Sequence, residues 1–309
     1  MLANFLNKSK PINFVGLLVV FFLSFLIALY NNYFQEDFSS TKLIESVVFT
    51  LFFLFIFFLA NFIIVKNNLT FDNSYAFYFF ILLCIILLPN LFEAKILILG
   101  ILYFLILRKI YSLRSSKNVF EKVFDASFWL GILFILEPLT FMFLMLIYFA
   151  IYFHKKLSVN TLIIPIIGFA TPIFLYYAYL LWIDNLDAFY DLFKIQINFS
   201  LINYSKNALF SPFMIILGFT VFCLLLKSNK ALSINNTFKR SWVLIMINFF
   251  LTLFYLSLHH EKSYASFIFI IFPTALILAN GIELFKKEVI KDIVLYLFLA
   301  GSISSLFLL

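Results

Sequence analysis

Apolar runs follow one another along almost the whole chain. The stretch "VGLLVVFFLSFLIALY" (15–30) gives way to "YNNYFQEDFSSTK", and then "VVFTLFFLFIFFLANFIIV" (47–65) begins. A helix needs about 20 apolar residues to cross a hydrocarbon core roughly 30 Å thick. Eleven stretches qualify as spans or tilted spans: 12–30, 43–65, 75–88, 94–108, 124–136, 139–153, 161–183, 211–227, 241–258, 264–282 and 293–309. The third, fifth and sixth are short and read either as tilted spans or as halves of re-entrant hairpins, so the count is 9–11. Of the 309 residues, 64% are hydrophobic and 12% charged. A soluble domain carries roughly 25% charged residues. The expected fold class is therefore all-α: a single polytopic transmembrane domain over residues 1–309.

Charge placement orients such a chain, because Lys and Arg gather in cytoplasmic loops. With the N-terminus cytoplasmic, the segments 8–10, 66, 108–122, 155–156, 227–240 and 286–291 hold 17 of the 22 basic residues. The opposite face keeps Lys42, Lys95, Lys194, Lys206 and Lys262. The C-terminus then lies on the extracytoplasmic side. Lys8 and Lys10 precede an apolar run too long for a signal peptide, so the first run reads as an uncleaved helix. The net charge of +7 follows from this topology and implies no nucleic-acid partner. Nine of the 15 acidic residues fall outside, Glu36, Asp37, Glu93, Glu137, Asp184, Asp187 and Asp191 among them. They read either as solvated loop charges or as a surface that handles cations or sugars.

Few constellations could carry chemistry. Glu36 and Asp37 are adjacent acids just beyond the first span, and a carboxylate there could serve as a general base. His259, His260 and Lys262 sit in "HHEKSY", on the same face in this topology. Neighbouring positions on one helix point about 100° apart, so the two His rings suit phosphate better than chelation of one ion. "DNLDAFYDLFKIQINF" (184–199) has helical spacing and predicts an amphipathic interfacial helix. His154, beside Lys155 and Lys156, suits a headgroup anchor. Asn61, Asn248 and Asn280 read as hydrogen-bonding glue between spans. Pro165, Gly168 and Pro172 interrupt the seventh span, and Pro273 the tenth. Cys84 and Cys223 read as small buried hydrophobes. No metal site is expected and the cofactor is unknown; a divalent cation is compatible with the acids.

The acid-bearing first external loop, and the later "HHEKSYASFIFIIFP" ahead of a Pro-containing span, resemble the GT-C class of integral-membrane glycosyltransferases. So does the middle section from "LRKIYSLRSSKN" to "YFAIYFHKK". The resemblance implies a polyprenyl-phosphate-linked sugar donor, Glu36 or Asp37 as catalytic base, and His259, His260 and Lys262 on the leaving phosphate. "FLNKSKPINF" and "RKIYSLRSSKN…FDASFWLG" are similar to an uncharacterised family of bacterial inner-membrane proteins, some labelled beta-carotene monooxygenase. Carotenoid-cleaving enzymes hold iron with four histidines, and this chain has three. The expectation is thus a bacterial inner-membrane envelope protein of GT-C-like arrangement, with membrane lipids as partners. It would act on or bind a polyprenyl-phosphate-linked sugar at the extracytoplasmic leaflet. The alternatives are a non-catalytic scaffold with envelope protein partners, and a transporter or flippase.

Overall fold

The computed structural model describes residues 1–34, 39–199, 209–231, 236–260 and 264–308. Among the described residues the secondary structure is entirely helical. The helices are α1 (Leu2–Leu6), α2 (Pro11–Ala28), α3 (Ser40–Asn67), α4 (Tyr75–Leu87), α5 (Ala94–Ser112), α6 (Val119–Leu136), α7 (Leu144–Phe153), α8 (Val159–Trp182), α9 (Asp187–Asp191), α10 (Phe210–Ala231), α11 (Asn236–Leu258), α12 (Ile268–Ile282) and α13 (Glu288–Leu308). A π turn (Leu29–Tyr33) extends α2, and 3-10 turns (Pro138–Phe143, Tyr264–Phe267) lead into α7 and α12. Each of the eleven apolar runs is helical. Seven helices are long and apolar enough to cross a membrane: those over Pro11–Tyr33, Ser40–Asn67, Val159–Trp182, Phe210–Asn229, Phe238–Leu258, Ala265–Ile282 and Glu288–Phe307. Tyr75–Asn90 and Pro138–Phe153 are apolar but shorter.

Local chemistry sets the helix ends. The Ser39 hydroxyl accepts from the Lys42 amide and starts α3. Asn68 stops it in the left-handed conformation (φ 49°, ψ 55°), which Asn tolerates better than most residues. Ser158 and Thr161 form a reciprocal capping box at the start of α8.

Two helices form the centre. Every residue of α4 and of α12 is buried, and the two pack on each other. Both are apolar around their whole circumference, which leaves neither a face suited to water. By contrast, only 22% of the spanning windows of α8 and α13 is buried. Their outer surfaces are large apolar side chains such as Ile166, Phe174, Leu297 and Phe307, the composition hydrocarbon requires. Pro165 and Pro172 do not break α8, which runs unbroken through both. Pro172 instead closes the contact with α6. A Cβ on Gly131 would lie 2.4 Å from the Phe169 carbonyl oxygen and 2.4 Å from Pro172 Cγ, so the two helices meet there at glycine distance. Gly281 plays the same part between α12 and α10, where an added Cβ would lie 2.4 Å from Cys223 Cβ.

Two of the three asparagines, Asn248 and Asn280, hydrogen-bond to distant parts of the bundle. Asn248 Oδ1 accepts from the Tyr103 hydroxyl at 2.7 Å across α11 and α5. Asn280 Nδ2 donates to the Leu69 carbonyl at 3.0 Å. The interfacial helix expected over 184–199 is shorter, a single turn at Asp187–Asp191, tied by Phe189 to Tyr177 and by Phe193 to Phe134.

The basic segments converge on one end. Arg114 Nη1 donates to the Asn67 carbonyl, Lys156 reaches Ser116, and Lys227 pairs with Glu283. Lys155, Lys239 and Arg240 line one hollow. His154, expected as a headgroup anchor, is instead folded under these bases with 4% exposure. Burial, then the charges of Arg240, Lys156, Arg114 and Lys122, push its imidazole down to about 4, so the ring is neutral near pH 7.

Candidate functional site

Of the residues singled out for chemistry, the structure describes His259 and His260, which follow the end of α11. Glu36, Asp37 and Lys262 lie outside the described residues. The Tyr33 hydroxyl donates to Glu45, and the Tyr33 ring packs on Phe92 just after the 3-10 turn that ends α4. α4 and the turn Tyr264–Phe267 are in contact.

His259 and His260 separate, as adjacent helix-end positions must. His260 is exposed, whereas His259 is 7% exposed. The amide of His259 donates to the Tyr255 carbonyl at 2.9 Å, which continues α11 by one residue. Its ring lies 5.4 Å from that of Tyr255, which in turn packs on Phe143 and Phe269. Helix packing therefore fixes this imidazole.

The groups around His259 come from distant parts of the chain. Glu137 Oε1, at the end of α6, lies 3.6 Å from Nε2. Ser266 Oγ lies 3.3 Å from Nε2 and 3.5 Å from Nδ1. A nucleophilic triad needs hydroxyl and carboxylate on opposite ring nitrogens. Here both approach Nε2, so the three form a polar cluster rather than a Ser–His–acid relay. What the cluster can do is offer ring, hydroxyl and carboxylate hydrogen-bonding groups to a ligand at this end of α11. Sequence reading counted Glu137 only as an external acid. The Pro at 138 was the available signal, because it opens the 3-10 turn that Glu137 precedes. Among the described residues no three His, Cys, Asp or Glu side chains are placed to hold a metal ion.

A separate apolar groove of about 630 Å³ runs between α10 and α13. Its walls include Leu209, Pro212, Ile216, Leu297, Gly301 and Ser305. A Cβ on Gly301 would meet nothing within 4 Å, so the groove is open there. The groove and the His259 cluster share no residue; their chain neighbours Phe213, after Pro212, and Phe267 do meet. Phe213, on α10, meets Phe267 edge to face at 4.2 Å, and Phe267 follows Ser266.

A family model covers residues 1–307, nearly the whole chain, and is described as a family of unknown function (DUF6427). No curated protein and no solved structure matches the chain.

Proposed function

The chain belongs to the DUF6427 family, and from its geometry we propose a GT-C-like envelope membrane protein that binds or acts on a polyprenyl-phosphate-linked sugar at the extracytoplasmic leaflet. In this reading all eleven apolar helices contribute to the membrane domain, with the basic end cytoplasmic and the His259 end outside. One observation carries it: the groove between α10 and α13 includes Leu209 and Pro212 at the start of α10, and the adjoining Phe213 meets Phe267 of the turn that carries Ser266 beside His259. A polyprenyl phosphate needs this pairing, with an apolar channel for the isoprenoid and a cation at its mouth for the phosphate. The isoprenoid would lie along Ile216 and Leu297. His259, His260 and Lys262 would neutralise the phosphate, and Glu36 or Asp37 would take the proton from an acceptor hydroxyl.

A second reading is a non-catalytic scaffold. It is favoured by the pairing of His259 with Glu137, which already supplies that imidazole with an anion.

Two variants separate the readings. Gly301→Leu fills the groove without a clash, and binding of farnesyl phosphate to the purified protein should weaken at least tenfold while helical content holds. Unchanged binding removes the groove from the mechanism. The double change Glu36→Gln, Asp37→Asn keeps side-chain shape and removes the proton acceptor. General-base catalysis contributes roughly 10²- to 10⁴-fold. Cellular function should therefore collapse at normal protein abundance if the chain is an enzyme. Wild-type complementation would leave the scaffold.

A further inference from the structure

At the basic end, α3, α5 and α6 enclose a cleft of about 450 Å³. Five cations line it: Lys66, Arg108, Lys109, Arg114 and Lys122. Three of them have structural duties. Arg114 Nη1 donates to the Asn67 carbonyl at 2.8 Å, closing the C-terminus of α3. Lys122 Nζ donates to the Ser112 carbonyl at 2.9 Å and to Ser115 Oγ at 2.6 Å, closing that of α5. Both satisfy helix-end carbonyls that carry partial negative charge. Lys109 pairs with Asp125 at 2.5 Å.

Lys66 and Arg108 differ. Both are exposed, and among the described residues neither meets a carboxylate. They converge on one ring instead: Lys66 Nζ lies 4.8 Å and the Arg108 guanidinium 5.5 Å from the centroid of Phe62. A ring quadrupole attracts cations but does not neutralise them. Five basic side chains thus line the cleft and no carboxylate does; Asp125, the partner of Lys109, lines a neighbouring hollow.

The surface next to the cleft says what kind of anion fits. Leu51, Phe55, Phe58 and Val65 are all exposed large apolar residues of α3. With Phe62 they recur at spacings of four and three, so they form one stripe along the helix. The stripe spans about 21 Å at 1.5 Å per residue and ends at Lys66 and Arg108. Phe58 stacks on Phe62 and joins stripe to cleft. A soluble phosphate compound has no use for such a stripe, whereas a lipid tail does.

We propose that this cleft is the headgroup site of one anionic phospholipid, with Lys66 and Arg108 on the phosphate and an acyl chain along Leu51, Phe55, Phe58 and Phe62. The site lies at the opposite end of the bundle from His259, so it stands or falls apart from the function proposed above.

The test is a titration of the purified full chain in neutral detergent, read by native mass spectrometry. The probes are dioctanoyl phosphatidylglycerol, dioctanoyl phosphatidylcholine and inorganic pyrophosphate. Phosphatidylglycerol should bind at least tenfold more tightly than phosphatidylcholine. A surface cation is worth roughly fivefold toward an anionic lipid, so Lys66→Gln and Arg108→Gln should each weaken binding about fivefold and together about thirtyfold. The charge-keeping changes Lys66→Arg and Arg108→Lys should stay within about threefold of wild type, which guards against a folding defect. Lys286→Gln with Lys287→Gln removes the same charge from the same end and should leave affinity unchanged. Equal binding of phosphatidylcholine would overturn the proposal, as would an equal loss in the Lys286/Lys287 variant. Pyrophosphate binding as tightly as the lipid would assign the cleft to a soluble anion and overturn it too.

Discussion

At the residue scale, the ion pair Lys227–Glu283 shows how this bundle tolerates charge. Nζ and Oε2 are 3.0 Å apart, with side-chain exposures of 0% and 4%. Desolvating two charges is costly unless every remaining polar atom is satisfied. Glu283 Oε1 meets that condition by accepting from the Phe71 amide at 3.0 Å and from Asn73 Nδ2 at 2.7 Å. Lys227 Nζ lies 4.8 and 5.1 Å from the rings of Phe71 and Phe238, which are nearly parallel. Removing one partner strands the other, at a cost of about 3–5 kcal/mol. Lys227→Met and Glu283→Gln should each lower the thermal midpoint in detergent, and the double variant should lose much less than their sum. Additive losses would show that the two side chains are not coupled. Nothing in the sequence marks Lys227 apart from its basic neighbours, because its partner is 56 residues away. His154 makes the same point. Its neighbours Lys155 and Lys156 suggest a headgroup anchor, yet the fold buries it as a neutral ring.

At the element scale, periodicity and its absence were readable. The eleven apolar runs are all helices, and α4 and α12, apolar all round, occupy the centre. The prolines of α8 were less readable. Proline removes a backbone donor and clashes with the preceding turn, which predicts an interruption. Pro165 and Pro172 instead lie within a continuous helix, and Gly131 lets α6 pack against Pro172. A side chain at position 131 has no room, since it would strike the Phe169 carbonyl as well as the Pro172 ring. Gly131→Leu should therefore destabilise the protein by about 1–3 kcal/mol, the usual cost of overpacking. Its signature should be local, with proteolysis first cutting the loops that flank α8. A thermal midpoint equal to wild type would show that α6 and α8 part without cost. The 184–199 segment erred the other way. Its apolar spacing suits a helix of four turns, but one turn forms; Phe189 and Phe193 meet Tyr177 and Phe134, while Tyr190, Phe193 and Ile197 stay exposed.

At the scale of the whole molecule, the two ends differ in charge. The basic segments are held together by contacts such as Arg114–Asn67 and Lys156–Ser116. The bias of Lys and Arg then sets the expected orientation. Reporter fusions at residues 70, 115, 200, 235 and 261 should score inside, inside, outside, inside and outside. A fusion at 115 scoring outside would invert the molecule and move the Glu36, Asp37 and His259 end to the cytoplasm. The polyprenyl-phosphate reading at the outer leaflet would fall with it.

The sequence by itself determined the membrane class, the helical content and the segregation of charge. These follow from runs of neighbouring residues, and solvent sorts such runs by composition before any tertiary contact forms. It also placed His259 and His260 on diverging directions, since adjacent helical positions cannot share a face. Tertiary structure alone decided which polar groups meet: Glu137 with His259, Glu283 with Lys227, Asn248 with Tyr103. The partners in each pair are separated by between 56 and 145 residues. In a bundle of similar apolar helices, composition does not say which helix lies beside which. That choice rests on where backbones approach closely, as at Gly131 and Gly281, and on which polar side chains would otherwise face hydrocarbon unpaired.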